Sequence, residues 1–155
     1  MTSTGGGRTA PGGHARGQAY GYRAGQRVDV SDFTEMPGAG DMWSTVDDLA
    51  RFAAAFDAGE ILTSASRQAM CTVHTPLPVE AGTQDGVVVV DGYGYAYYLG
   101  SLMGHSMRFH SGDIPGYRAL QMRLSGLDVS VVLLSNHDEA DLEAVGRNLL
   151  PRVLA

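Results

Sequence analysis

The residues best suited to chemistry are His110-Ser111-Gly112-Asp113, which run on into Ile114-Pro115-Gly116-Tyr117. Histidine and serine offer hydrogen-bond donors and acceptors, and glycines at 112 and 116 let a ligand come close to the backbone. Such a segment can hold a polar group of a substrate at the edge of a strand. An ordinary hairpin with a polar rim uses the same residues, and one His-Ser-Gly leaves both readings open.

Other candidates carry less. Gly104-His105-Ser106-Met107-Arg108 nearly fits the G-x-S-x-G nucleophile elbow. Arginine stands where the elbow needs glycine, and the pattern after Ser106 is that of a strand, not a helix. The histidines at 14, 74, 105, 110 and 137 show no H-E-x-x-H and no ligand spacing, so no metal is assigned. Cys71 reads as a packed thiol. Asp47-Asp48 reads as the acidic first turn of a helix. Tyr93, Tyr95 and Tyr97 alternate, which predicts one face of a strand, either a half-buried sheet face or the wall of a ligand groove.

These groups need elements to hold them. Residues 1–17 contain Gly5-Gly6-Gly7 and Pro11-Gly12-Gly13 without apolar periodicity, and read as a flexible glycine-rich segment. Residues 18–80 read as part of a helical subdomain. Residues 19–30 look irregular or extended, and 37–40 a turn. Ser44 is the expected N-cap of a helix that ends at Gly59, with Leu49, Phe52, Ala53 and Phe56 as its apolar stripe. A second helix is expected from Thr63 or Ser64 to about His74, stopped by Pro76 and Pro78.

Residues 81–155 read as antiparallel strands with a terminal helix. A turn is expected at 82–86, strands at 87–90 and 93–99 around an Asp91-Gly92 turn, and a short strand at 107–110. Further strands are expected at 117–124 and 129–135. The terminal helix, 139–154, should bury Leu142, Val145, Leu149 and Val153, with Pro151 disturbing its last turn. Helices, then an antiparallel meander, then a helix is an α+β pattern.

Composition bounds the rest. The 155 residues are 44% hydrophobic and 18% charged, with a net charge of −6. That balance is globular, and the acidic charge argues against nucleic acid as a partner. No apolar run reaches the roughly 20 residues of a transmembrane segment, and 1–17 holds no apolar secretory core, so localisation stays open. The one cysteine excludes an internal disulfide. No cofactor is implied. The chain has no lysine at all, and arginine cannot accept a proton in its place.

The order of features resembles the C-terminal half of the serine β-lactamase-related hydrolases: class C β-lactamases, D-alanyl-D-alanine carboxypeptidases, penicillin-binding proteins and related esterases. The residues that carry it begin with Gly38-Ala39-Gly40-Asp41-Met42-Trp43-Ser44-Thr45 and Asp47-Asp48-Leu49-Ala50-Arg51-Phe52. Gly92-Tyr93-Gly94-Tyr95, His110-Ser111-Gly112, Pro115-Gly116-Tyr117 and Val131-Val132-Leu133-Leu134-Ser135-Asn136 follow in order. The resemblance implies part of the β-lactamase/transpeptidase-like fold and acyl transfer on a peptide, ester or β-lactam.

That family uses three motifs: S-x-x-K with the nucleophile, Y-x-N, and K-T-G or H-S-G. Only the third is present, as His110-Ser111-Gly112. The first is absent for want of lysine, so the resemblance implies a catalytic serine upstream and a segment inactive alone. It implies that His110 and Ser111 bind substrate, that Gly112 keeps the strand open, and that the Asp113 backbone N–H is an oxyanion donor. It implies a small acyl substrate as partner. It also implies an unpaired edge at 129–135 that pairs with an N-terminal half, a second copy or a swapped element. A non-catalytic binding module on this scaffold is the alternative, and a small independent hydrolase using Ser106 is the third reading.

Overall fold

The computed structural model describes residues 1–6, 17–28, 38–78, 83–84 and 88–154. Most of the glycine-rich segment, the turn at 82–86 except for 83–84, and Pro37 lie outside the described residues. The strands are β1 (Gly5–Gly6), β2 (Gly21–Arg23), β3 (Gln26–Val28), β4 (Met42–Trp43), β5 (Thr75–Pro76), β6 (Thr83–Gln84), β7 (Val88–Tyr93), β8 (Tyr98–Leu102), β9 (His105–Ile114), β10 (Tyr117–Leu124) and β11 (Val129–Ser135). The helices are α1 (Val46–Ala58), α2 (Ser64–Met70) and α3 (Leu142–Leu154). The main sheet runs β11-β10-β9-β8-β7-β5, with β6 also on β7. The expected α+β order of helices, antiparallel strands and a last helix is found.

The chain divides into two compact units. One comprises Met1–Leu49, Ser111–Leu120 and Val132–Ala155. Within it β1 pairs with β4, and β2 forms a hairpin with β3 across Ala24 and Gly25, both at positive φ. Residues 19–28, expected as irregular or extended, thus hold a hairpin. Thr2 and Ser3 donate backbone N–H groups, and Thr4 its hydroxyl, to the fully buried carboxylate of Asp48. Thr45, not Ser44, caps α1, because its Oγ1 accepts from the Asp48 N–H at 3.3 Å. Ser44 instead shares a 2.7 Å hydroxyl contact with Thr4.

Helix α3 opens at Asp141, which accepts from the Ala144 N–H. Its buried positions are Gly146 and Leu150. This corrects the expected stripe: Val145, Leu149 and Val153 are exposed. An apolar spacing of three and four marks a face, but only the neighbours decide which face is covered.

The other unit comprises Ala50–His110 and Gln121–Val131. Phe56, Tyr97 and Leu99 form its core cluster, with Leu62, Met70 and Val73 packed against them. Leu102 and Leu124 are fully buried. Helix α2 is shorter than expected, capped by Thr63 and ending at Met70, with Cys71 as its C-cap. The expected Asp91-Gly92 turn is displaced. Both residues lie in β7, where the register shifts between Val90 and Gly92, and the reversal falls at residues 94–97 with Ala96 at φ 65°. A Cβ on Gly92 would stand 2.5 Å from the Thr75 carbonyl, so glycine here serves a close strand approach and not a turn.

Candidate functional site

Strand β9 is one continuous run, longer than the expected 107–110, and it includes Ser111, Gly112 and Asp113. Tyr98 stands opposite Phe109, where the β8–β9 ladder ends. Ser125, just past β10, donates its N–H to the Ser106 carbonyl at 2.8 Å, so the backbone groups of Ser106 face β10. Those groups alternate sides along a strand. His110 and Gly112 therefore turn theirs toward β10, and Ser111 and Asp113 turn theirs to the opposite edge. Among the described residues no strand pairs Ser111–Asp113 on that edge.

Side chains alternate between the faces of the sheet. His110 and Gly112 therefore share one face. His110 is exposed, and its Nε2 lies 3.0 Å from the Tyr93 hydroxyl. Its ring meets Tyr93 edge-on at 5.9 Å and Tyr98 at 5.8 Å. Desolvation pushes the Tyr93 phenol above its ordinary pKa, with a smaller push from Tyr98.

Among the described residues a Cβ on Gly112 would meet only the Ala119 Cβ, at 3.4 Å, and the residue does not use positive φ. Neither backbone conformation nor crowding by the described residues requires glycine there. Ser111 is half-buried. Asp113 is exposed and its carboxylate pairs with Arg118 across the hairpin.

The three alternating tyrosines do not share a face. The chain turns between β7 and β8, so Tyr93 ends one strand, Tyr95 stacks on His74 at 4.2 Å, and Tyr97 enters the core against Phe56. Gly94 permits the turn because any Cβ there would strike the Met70 carbonyl. Tyr98 supplies the ring that sequence alternation assigned elsewhere.

Ser106 lies inside β9 with no helix after it, so it does not form a nucleophile elbow. The described histidines are scattered: His74 binds the Ala69 carbonyl, His137 stacks on Tyr22, and His105 stands opposite Leu102. His14 lies outside the described residues. Burial of the Cys71 sulfur raises its pKa despite nearby Arg108 and Arg67, although the residue keeps exposed surface. It is a poor thiolate.

Two ionic sites escaped sequence reasoning. Asp57 holds Arg108 at 2.5 Å and Arg123 at 2.6 Å, and Arg123 also reaches Asp128 at 2.6 Å. These residues line a cleft of about 350 Å³, but its two arginines and two aspartates neutralise one another. In the other unit Asp138 accepts from the Gly116 N–H at 3.0 Å and from Arg23 Nε at 2.6 Å. Each joins residues far apart in sequence, with no local motif.

A model of the Beta-lactamase family matches residues 1–154. The chain belongs to the Beta-lactamase family. Its fold is that of D-amino acid amidase from Ochrobactrum anthropi SV3. The amidase structure with D-phenylalanine superposes with a TM-score of 0.69 at 22% identity, over 99% of this chain and 49% of the amidase. The structure with L-phenylalanine amide gives a TM-score of 0.65, also at 22% identity, over 88% of this chain and 39% of that one. This Beta-lactamase family chain thus spans about half the amidase length. No curated protein matches it. No described helix is long and apolar enough to cross a membrane.

Proposed function

We propose that this chain supplies the substrate-binding wall of a serine acyl hydrolase and leaves the attacking serine to residues outside it. The observation that carries the reading is the open edge of β9 at Ser111–Asp113, beside an exposed histidine and a glycine the fold does not require.

Acyl transfer needs a nucleophile and donors aimed at the oxygen that becomes negative. The Asp113 N–H turns to the open edge and is one such donor. His110 and Ser111 hydrogen-bond the polar end of the substrate, and Gly112 lets its chain lie against the strand. No S-x-x-K occurs in the 155 residues, since lysine is absent. The substrate is a small peptide, amide, ester or β-lactam. Histidine at 110 favours carboxypeptidase, amidase or esterase chemistry over β-lactam hydrolysis.

The test is a titration of the ¹⁵N-labelled chain with a D-amino-acid amide or a penicillin. Shifts should concentrate at the amides of Ser111, Gly112 and Asp113; shifts confined elsewhere overturn the reading. A fluorescent penicillin should leave the chain unlabelled. Covalent labelling would mean that a nucleophile lies within these residues.

The alternative, a binding module without chemistry, makes the same first result and differs in the parent coding sequence, which would then lack an in-frame S-x-x-K. Among the described residues the sheet order ends at β11, and α3 leaves Val145, Leu149 and Val153 exposed. These surfaces support pairing with another chain, a second copy in a preparation of this chain alone. Sedimentation at micromolar concentration should give a dimer, and a stably folded monomer overturns that part.

A further inference from the structure

We infer that Tyr93 is a positioning residue for His110, holding the imidazole as the Nδ1–H tautomer so that it serves as a neutral donor to a substrate oxygen. The inference rests on the acyl-hydrolase reading for its consequence, but not for its test.

A single 3.0 Å contact joins His110 Nε2 to the Tyr93 hydroxyl. Either atom could donate. A phenol O–H is a good donor and a weak acceptor, whereas an unprotonated sp² imidazole nitrogen is a strong acceptor. The favoured arrangement is therefore O–H to Nε2, which leaves the proton of the neutral ring on Nδ1. The raised pKa of the Tyr93 phenol keeps that proton in place. The edge-on Tyr93 ring and the tilted Tyr98 ring limit rotation of the imidazole. Tyr93 itself is packed at 4.7 Å against Tyr98, which fixes the donor.

The chemical consequence is specific. Nε2 is occupied by Tyr93, so it is not a free base. Among the described residues Nδ1–H has no partner, and His110 shares a face with the bare Gly112. A substrate carboxylate or carbonyl oxygen fits that donor. His110 thus does the donor's part of a lysine ammonium without its charge, and does not act as general base.

The experiment uses this chain labelled with ¹⁵N-histidine, at about pH 8.5, some two units above an ordinary imidazole pKa. Long-range ¹⁵N–¹H correlation reads the tautomer of each ring, and loss of one signal in His110→Gln assigns His110. The wild type should show His110 mainly as Nδ1–H, against the Nε2–H form that water favours. Tyr93→Phe keeps the ring and removes the hydroxyl. It should shift the tautomer ratio about fivefold toward Nε2–H, the size expected of one lost hydrogen bond, with His74 and His137 unchanged. A wild-type His110 mainly in the Nε2–H form overturns the inference, even if the variant fails to fold. An unchanged ratio in Tyr93→Phe overturns it too. The tautomer is read without substrate, so a failed binding titration and a failed tautomer experiment are separate results.

Discussion

Arg108 donates to Asp57 at 2.5 Å from a site where only 7% of the arginine is exposed. Its guanidinium also lies over the rings of Phe56 and Tyr97, at 4.9 and 5.7 Å. A buried charge is tolerated only while it is paired. Asp57→Ala strands that charge, while Arg123 keeps Asp128 and Ser130, and should cost about 2–4 kcal/mol in urea unfolding. Asp57→Ala combined with Arg108→Met should cost less than the single change, because an apolar chain of similar size suits the Phe56–Tyr97 pocket. A double variant less stable than Asp57→Ala alone would contradict this account.

Asp138 makes stability sensitive to acid. The Gly116 N–H, and then Arg23, hold its pKa below the ordinary carboxylate value. The unfolded value is near 3.9, about the ordinary one. Stability from this node is therefore complete above the unfolded pKa and is lost as pH falls through the lower, folded pKa. Urea midpoints measured from about pH 5 down to pH 2 should fall more steeply for the wild type than for Asp138→Asn. Parallel curves would remove Asp138 as a cause.

The two faces of α3 should respond differently. Leu150 is fully buried and Leu149 is 41% exposed. Leu150→Ala should cost about 2–4 kcal/mol of stability. Leu149→Ala should stay within about 0.5 kcal/mol when the protein is dilute. Equal losses by thermal melting would show that the helix is rotated from the face described.

Gly100 faces Val90 in the β7–β8 ladder, and any Cβ there would collide with the Val89 carbonyl. The obstacle is backbone, which cannot swing aside. Gly100→Ala should cost at least about 2 kcal/mol in chemical denaturation, near the upper range for overpacking. Gly104→Ala, with no described atom within 4 Å but φ at 80°, should lose less, through backbone strain.

The cap of α2 is a local test. Thr63 Oγ1 accepts from the Ser66 N–H at 3.2 Å. Thr63→Ala should cost about 1 kcal/mol. Thr63→Ser should restore most of it, as read by the same urea midpoints.

Sequence by itself determined the elements whose information is local. Strands β10 and β11 fall where alternation and apolar runs put them, and α1 ends before Gly59, because pleat and turn chemistry act between near neighbours. The family was legible as an order of short motifs, and the missing lysine is a fact of composition. Tertiary structure decided what depends on residues distant in the chain. It extended β9 through Ser111–Asp113 and moved the β7–β8 turn off Asp91-Gly92. It also chose Leu150 over Leu149, since spacing defines an apolar stripe but not the surface that covers it. Most of all, it set Tyr93 against His110, 17 residues away. That contact exists only because β7, β8 and β9 lie side by side, and no spacing rule along one strand encodes it.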